Sequence, residues 1–171
     1  MLLDGSGKIV REFGQIDLSH CSTTIEGLAE RTATSACAVD VDEDNSLYYT
    51  TTSDYQVFKY DSIGTLIWSV EGGYPYELQL EEHELGGYNM IPVVWDLDVS
   101  GDRVYVLWAQ GAELRGSRVD VYNKDSGELE FYFYTEVPDE RWNYSIDVHD
   151  DLVYVVDHDG AMIHCFQIPA I

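Results

Sequence analysis

The sequence predicts an all-β fold made of repeated four-stranded antiparallel blades, on three observations. First, one motif returns three times: an apolar-Asp-apolar segment, a turn, then an aliphatic-Tyr strand. It reads Val39-Asp40-Val41 then Leu47-Tyr48-Tyr49, Leu97-Asp98-Val99 then Val104-Tyr105-Val106, and Ile146-Asp147-Val148 then Val153-Tyr154-Val155. Such a repeat sets the architecture, because each unit must bury its apolar face against the next. Second, apolar and polar residues alternate within these segments, with the period of two expected of strands. Third, clusters of Asp, Asn, Ser and Gly separate them at hairpin spacing.

Each repeat divides into strands a to d. In the first, strand a runs over 37–42, the cluster Glu43-Asp44-Asn45-Ser46 turns the chain, and strand b runs over 47–52. Ser53-Asp54 turns again into strand c, 55–60. Asp61-Ser62-Ile63-Gly64 is a hairpin loop whose glycine suits a positive φ, and strand d, 65–70, carries Trp68. The second repeat has strands over 94–99, 103–108, 118–122 and 128–134, with a longer Gly-rich loop over 109–117. The third has 144–148, 152–156 and 161–168, and then the chain ends with no strand d. The opening segment, Leu2-Leu3-Asp4-Gly5-Ser6-Gly7-Lys8-Ile9-Val10, lines up with Lys59-Tyr60-Asp61-Ser62-Ile63-Gly64-Thr65-Leu66-Ile67. It reads as the tail of a strand c, a hairpin and a strand d over 8–13. The whole chain is therefore one domain, 1–171, with blades over about 36–70, 93–135 and 143–168 plus 1–13.

Two long connections interrupt the pattern. Residues 14–35 join the opening strand to the first repeat, with a helical turn over 25–31 weakened by Gly27. Residues 72–92, rich in Gly, Tyr and Glu, join the first and second repeats. Long connections on one face of a repeated scaffold often carry function.

The segments YQVFKYDSIGTLIWSVEGGYPYE, VVWDLDVSGDRVYVLW and RVDVYNKDSGELEFYF resemble the C-terminal half of bacterial six-bladed β-propeller proteins, relatives of the NHL-repeat and TolB-like propellers. The resemblance runs from about Ala36 onward and includes the opening hairpin. It implies the fold and no particular activity, since one fold hosts many; it also implies export, common among such relatives. Propellers close with about 4–8 blades. Three blades form an open arc whose end faces would expose apolar residues. Either two copies close a six-bladed ring through an isologous interface, or the sequence belongs to a longer chain. The homodimer is the expectation here, because the strand arithmetic closes.

Composition excludes several classes. The net charge is −23, from 32 acidic against 9 basic residues. Nucleic acid is excluded as a partner, because phosphates need a basic surface, and anionic membranes are disfavoured for the same reason. No apolar run reaches membrane-spanning length. Met1-Leu2-Leu3 leads at once into a turn sequence, so no signal peptide is visible and the chain as it stands reads as cytoplasmic. The acidic surface reads first as a solvating one, suited to a salty medium that screens self-repulsion. Cys21, Cys37 and Cys165 form no CxxC or zinc spacing. Cys37 and Cys165 fall in strands, where a buried inert thiol is the default, and a Cys21–Cys37 disulfide is left open.

Candidate site residues fall into two sets. Asp40, Asp98 and Asp147 recur on the innermost strands. They read either as oxygen ligands for a cation in the channel, calcium being the one that fits, or as caps for the adjacent turns. Repetition favours the caps, and no cofactor is predicted. Asp40 to Ser46 mimics the start of a calcium loop but has Asn45 and Thr51 where Gly and Glu are needed. The histidines form no HxH or HExxH pair, and no nucleophile elbow is present. Tyr74, Tyr76, Tyr88, Trp95 and Trp142 lie in or beside the connections that ring one face. They suit a small-molecule, sugar or peptide ligand, against the alternative of inter-blade packing. The leading reading is a non-enzymatic binding or scaffolding module. The alternative is a metal-dependent propeller hydrolase or lyase with its site at the channel mouth.

Overall fold

Strands account for all the regular structure among the described residues of this computed structural model: 2–3, 9–11, 37–51, 55–72, 79–82, 88–108, 118–135, 144–158 and 160–169. The first blade is β3 (Cys37–Val41), β4 (Leu47–Thr51), β5 (Gln56–Tyr60) and β6 (Leu66–Glu71), hydrogen-bonded in that order. The second is β9 (Val94–Ser100), β10 (Arg103–Trp108), β11 (Arg118–Asn123) and β12 (Leu129–Tyr134). The third has β13 (Tyr144–His149), β14 (Leu152–Asp157) and β15 (Met162–Gln167). Every pairing is antiparallel. The first strand of each blade, β3, β9 and β13, packs beside the first strand of the next. The blades thus fan out from a shared inner edge, which is the β-propeller arrangement.

Turn chemistry explains the hairpins. Asp42 Oδ1 accepts the backbone N–H groups of Asp44 (3.0 Å) and Ser46 (2.8 Å), folding the turn between β3 and β4. Asp61 Oδ1 does the same for Ile63 and Thr65 between β5 and β6, and Asn123 Oδ1 for Asp125 and Ser126 between β11 and β12. These last two turns each hold a glycine at positive φ, Gly64 at 81° and Gly127 at 71°. Short polar side chains that bond their own backbone are what such turns need.

Two apolar cores lie between blades. Ala38, Tyr48, Tyr55 and Val57 of the first blade meet Val94, Leu97, Val104, Val106, Trp108 and Tyr122 of the second. On the other side of the second blade, Tyr105, Leu107, Val119, Val121 and Phe133 meet Tyr144, Ile146, Val148, Val153 and Val155 of the third. The middle blade is therefore buried on both faces. Each fully buried Val, Leu, Ile or Phe among them contributes about 1.5–3 kcal/mol by leaving water.

A buried polar group ties the first two blades. Asp120 Oδ2 accepts from the Tyr55 hydroxyl (2.6 Å) and Trp108 Nε1 (2.9 Å), while its Oδ1 takes Arg118 Nε (2.7 Å). Tyr122 donates to the Tyr55 hydroxyl at 2.9 Å, and burial pushes both phenols well above their ordinary range. Arg118 lies between the Trp108 and Tyr132 rings, 4.0 and 4.1 Å from their centres. With its partners satisfied, such a network fixes one packing of the blades. Backbone fit adds to it: a Cβ on Gly127 would fall 2.9 Å from the Trp68 ring.

Three details differ from the sequence expectation. The connection over 72–92 contains a hairpin of its own, β7 (Gln79–Glu82) with β8 (Tyr88–Ile91); its charged and glycine-rich sequence hid the alternation. The opening hairpin forms, but β1 (Leu2–Leu3) and β2 (Ile9–Arg11) pair with each other in a separate two-stranded sheet. Cys165, expected as a buried thiol, is exposed, because it lies on the outward face of the third blade, in register with Tyr154, where among the described residues no further blade covers it. The helical turn over 25–31 lies outside the described residues. No helix among the described residues is long and apolar enough to cross a membrane.

Candidate interaction site

The repeated aspartates connect blades. Asp40 Oδ2 accepts the backbone N–H of Val99 in the second blade, at 2.8 Å. Asp98 Oδ2 accepts the N–H of Val148 in the third, at 3.0 Å. Val99 follows Asp98, and Val148 follows Asp147. The rule is therefore the same at both boundaries: the inner-strand aspartate of one blade holds the N–H that follows the inner-strand aspartate of the next. Asp96 adds a parallel contact, its Oδ2 accepting from Ile146 at 3.0 Å.

Strand alternation makes this work. In β9, Leu97 and Val99 point back toward the first blade while Asp96 and Asp98 point forward to the third. N–H groups on the inner edge of an inner strand have no further strand to bond, so a carboxylate from the preceding blade satisfies them. Turn capping, expected of Asp40, falls instead to Asp42. What the sequence reading missed was the destination of the carboxylate; its signal was the fixed position of the aspartate inside the strand, ahead of the turn.

The price of this arrangement is a row of neighbouring carboxylates. Burial, with Asp40 as the next cause, pushes Asp98 up to about 7. Burial also raises Asp96, against the lowering effect of its two backbone hydrogen bonds. Among the described residues no group of three or more His, Cys, Asp or Glu is arranged to hold a metal ion.

Among the described residues both ends of the arc expose apolar side chains. On the first blade's outward face, Val39 and Val41 are 55% and 51% exposed, whereas Leu97, Ile146 and Val148 at matching positions are 3%, 6% and 6% exposed. Beside them Tyr49 stacks on Phe58, with ring centres 4.7 Å apart, and on Tyr60 at 6.1 Å. Register places Val39 opposite Tyr49 and Tyr49 opposite Phe58, so these form one continuous apolar face. The third blade's outward face carries Asp147, Tyr154 and Cys165 in one cross-strand row, with Val156 and Ile163 in another. Ile163 is 70% exposed.

A polar cleft of about 500 Å³ lies between the turns of the second and third blades, lined by Gly101, Asp102, Arg103, Glu130, His149 and Asp150 among others. Arg103 Nε donates to Glu130 Oε2 at 2.8 Å and its guanidinium lies 5.1 Å from the Phe131 ring. That cation is committed within the second blade, leaving the cleft acidic on balance.

Of the aromatic candidates, Trp95 is half-buried, lies edge-on to Tyr144 at 6.3 Å and packs against the core shared with the third blade. A register shift in the β9–β10 pairing beside Trp108 turns it to that side. Its Nε1 is buried and finds no hydrogen-bond partner among the described residues. Tyr88 begins β8. Tyr74, Tyr76 and Trp142 lie outside the described residues.

No family model matches the chain, and no curated protein matches it. Among solved structures, the chain is similar to the crystal structure of BamB from Moraxella catarrhalis, at 14% identity and a TM-score of 0.32. The match covers 75% of this chain and 42% of that one, so the chain spans less than half of that protein's length. The architecture here rests on the strand order and the inter-blade contacts themselves.

Proposed function

We propose that this protein is a non-enzymatic binding or scaffolding module, a three-blade arc that closes into a six-bladed propeller by pairing with a second copy. One observation carries the reading. The apolar positions that each blade buries against its neighbour recur on both outward faces at the same register, and several of them are exposed there. Val39 and Val41 remain in water at one end and Ile163 at the other. Exposed apolar sheet faces of this kind favour association, and a two-fold pair of arcs covers both ends at once.

The inner-strand carboxylates support the non-enzymatic part. Asp40, Asp96 and Asp98 spend oxygens on backbone N–H groups that blade packing would otherwise leave unmet. The ligand surface we infer is the face bearing the long connections, with Tyr74, Tyr76, Tyr88 and Trp142 as contacts for a small molecule, sugar or peptide. Light scattering on the eluting protein tests the assembly. A mass twice the 19.4 kDa of the chain is expected; a monomer at that mass across the micromolar range overturns it.

A further inference from the structure

We infer that Asp147 is the third member of the inter-blade series and that its partner is the backbone N–H of Val41 in a second copy. This rests on the ring-closing homodimer proposed above and names the contact that sets its register.

Asp40 holds the N–H of Val99 and Asp98 holds that of Val148. Asp147 occupies the same place in β13, opposite Tyr154 as Asp98 is opposite Tyr105 and Asp40 opposite Tyr48. Its side chain lies on the outward face of the third blade and is exposed, with no blade beyond it among the described residues.

The complementary group is at the other end of the arc. Val41 follows Asp40 as Val99 follows Asp98 and Val148 follows Asp147, so its N–H is the one that a preceding blade would hold. With no preceding blade among the described residues, that N–H donates to the carboxylate of its own neighbour, Asp40 Oδ1, at 2.7 Å. Val99 and Val148, which have a preceding blade, donate to that blade's aspartate instead. The first blade's outward face therefore requires a blade rear with an acceptor at the Asp147 position. Among the described residues the third blade's outward face is the one that offers it, and a single chain has it at the far end of the arc. A second copy supplies it, and two-fold symmetry makes the contact twice.

The apolar surroundings match. Tyr154 and Val156 stand where Tyr105 and Leu107 stand in the second blade, and those two are buried against the third. Val39 and Val41 stand where Ile146 and Val148 stand, the residues they are buried against. Docking in this register would repeat the packing of the second boundary.

Sedimentation equilibrium of the full chain at fixed salt, for wild type, Asp147→Ala and Asp147→Asn, tests the contact. Hydrogen bonds to charged groups are among the stronger ones, so Asp147→Ala is expected to raise the dimer dissociation constant about 10-fold or more, with the far-ultraviolet spectrum and melting temperature of the monomer unchanged. Asp147→Asn, which keeps an oxygen acceptor, is expected to restore part of that loss. A wild-type dimer that both variants leave equally tight overturns the role of Asp147 while the homodimer stands. A wild type that is monomeric throughout overturns the homodimer itself, and this contact with it.

Discussion

Asp98 in the middle blade accepts the backbone N–H of Val148, fifty residues downstream, across the blade boundary at 3.0 Å. The same contact joins Asp40 to Val99. A motif repeated along the chain thus becomes a repeated joint between blades. The joint satisfies inner-edge N–H groups that no strand can reach, at the cost of gathering carboxylates along the inner edge.

That cost gives a pH dependence. Asp98 is raised from 3.8 to about 7 in the folded protein, first by burial and then by Asp40. The folded state therefore holds a proton that the unfolded chain releases, and the associated stability is present below pH 4 and lost as pH rises through 7. Asp98→Asn keeps an acceptor for Val148 and cannot ionise. Its unfolding free energy relative to wild type is expected to rise by about 1–2 kcal/mol between pH 4 and 8, a shift of one unit being worth about 1.4 kcal/mol and solvent screening reducing the rest. Urea titrations at several pH values read this difference; a flat difference contradicts it.

The buried network predicts unequal costs. Asp120→Ala removes the acceptor shared by Tyr55, Trp108 and Arg118, and breaking a buried charged pair costs about 3–5 kcal/mol. Tyr55→Phe removes one hydroxyl and is expected to cost about 1–2 kcal/mol. Chemical denaturation of both variants should rank them in that order; equal losses would contradict the central place of Asp120.

Turn positions separate strain from crowding. Gly127 combines a φ of 71° with a blocked Cβ position against Trp68, so Gly127→Ala is expected to cost more than Gly101→Ala, where φ is 58° and the space is open. Asp150 sits at a φ of 54°, and Asp150→Gly is expected to be neutral or stabilising by up to about 1 kcal/mol. Thermal melts of the three variants give the ranking; a Gly101→Ala loss equal to that of Gly127→Ala contradicts it.

Much of this fold was legible in the sequence because the repeat and the turn residues carry local information. Leu47–Thr51 and Arg103–Trp108 emerge almost where alternation and the flanking Asp and Gly put them. The β7–β8 hairpin did not, since Glu81-Glu82-His83-Glu84 gives no alternation to read. The role of Asp40 was half legible. Its position marked it as structural, but a bond to Val99 depends on two strands meeting across a boundary, and no local pattern reports that. The same holds for Tyr55, whose partner Asp120 lies 65 residues away. The exposure of Cys165 follows from which blade face is left outward, a fact of blade order beyond the reach of periodicity.

Cys165 offers the most direct test of the central claim, that the outward face of the third blade is buried by a second copy. It lies on that face, in register with Tyr154, and is exposed in the single chain. Its alkylation rate, read on its own peptide by mass spectrometry, should fall as protein concentration rises through the range in which the scattering mass doubles. A rate that stays fast and independent of concentration would contradict the claim.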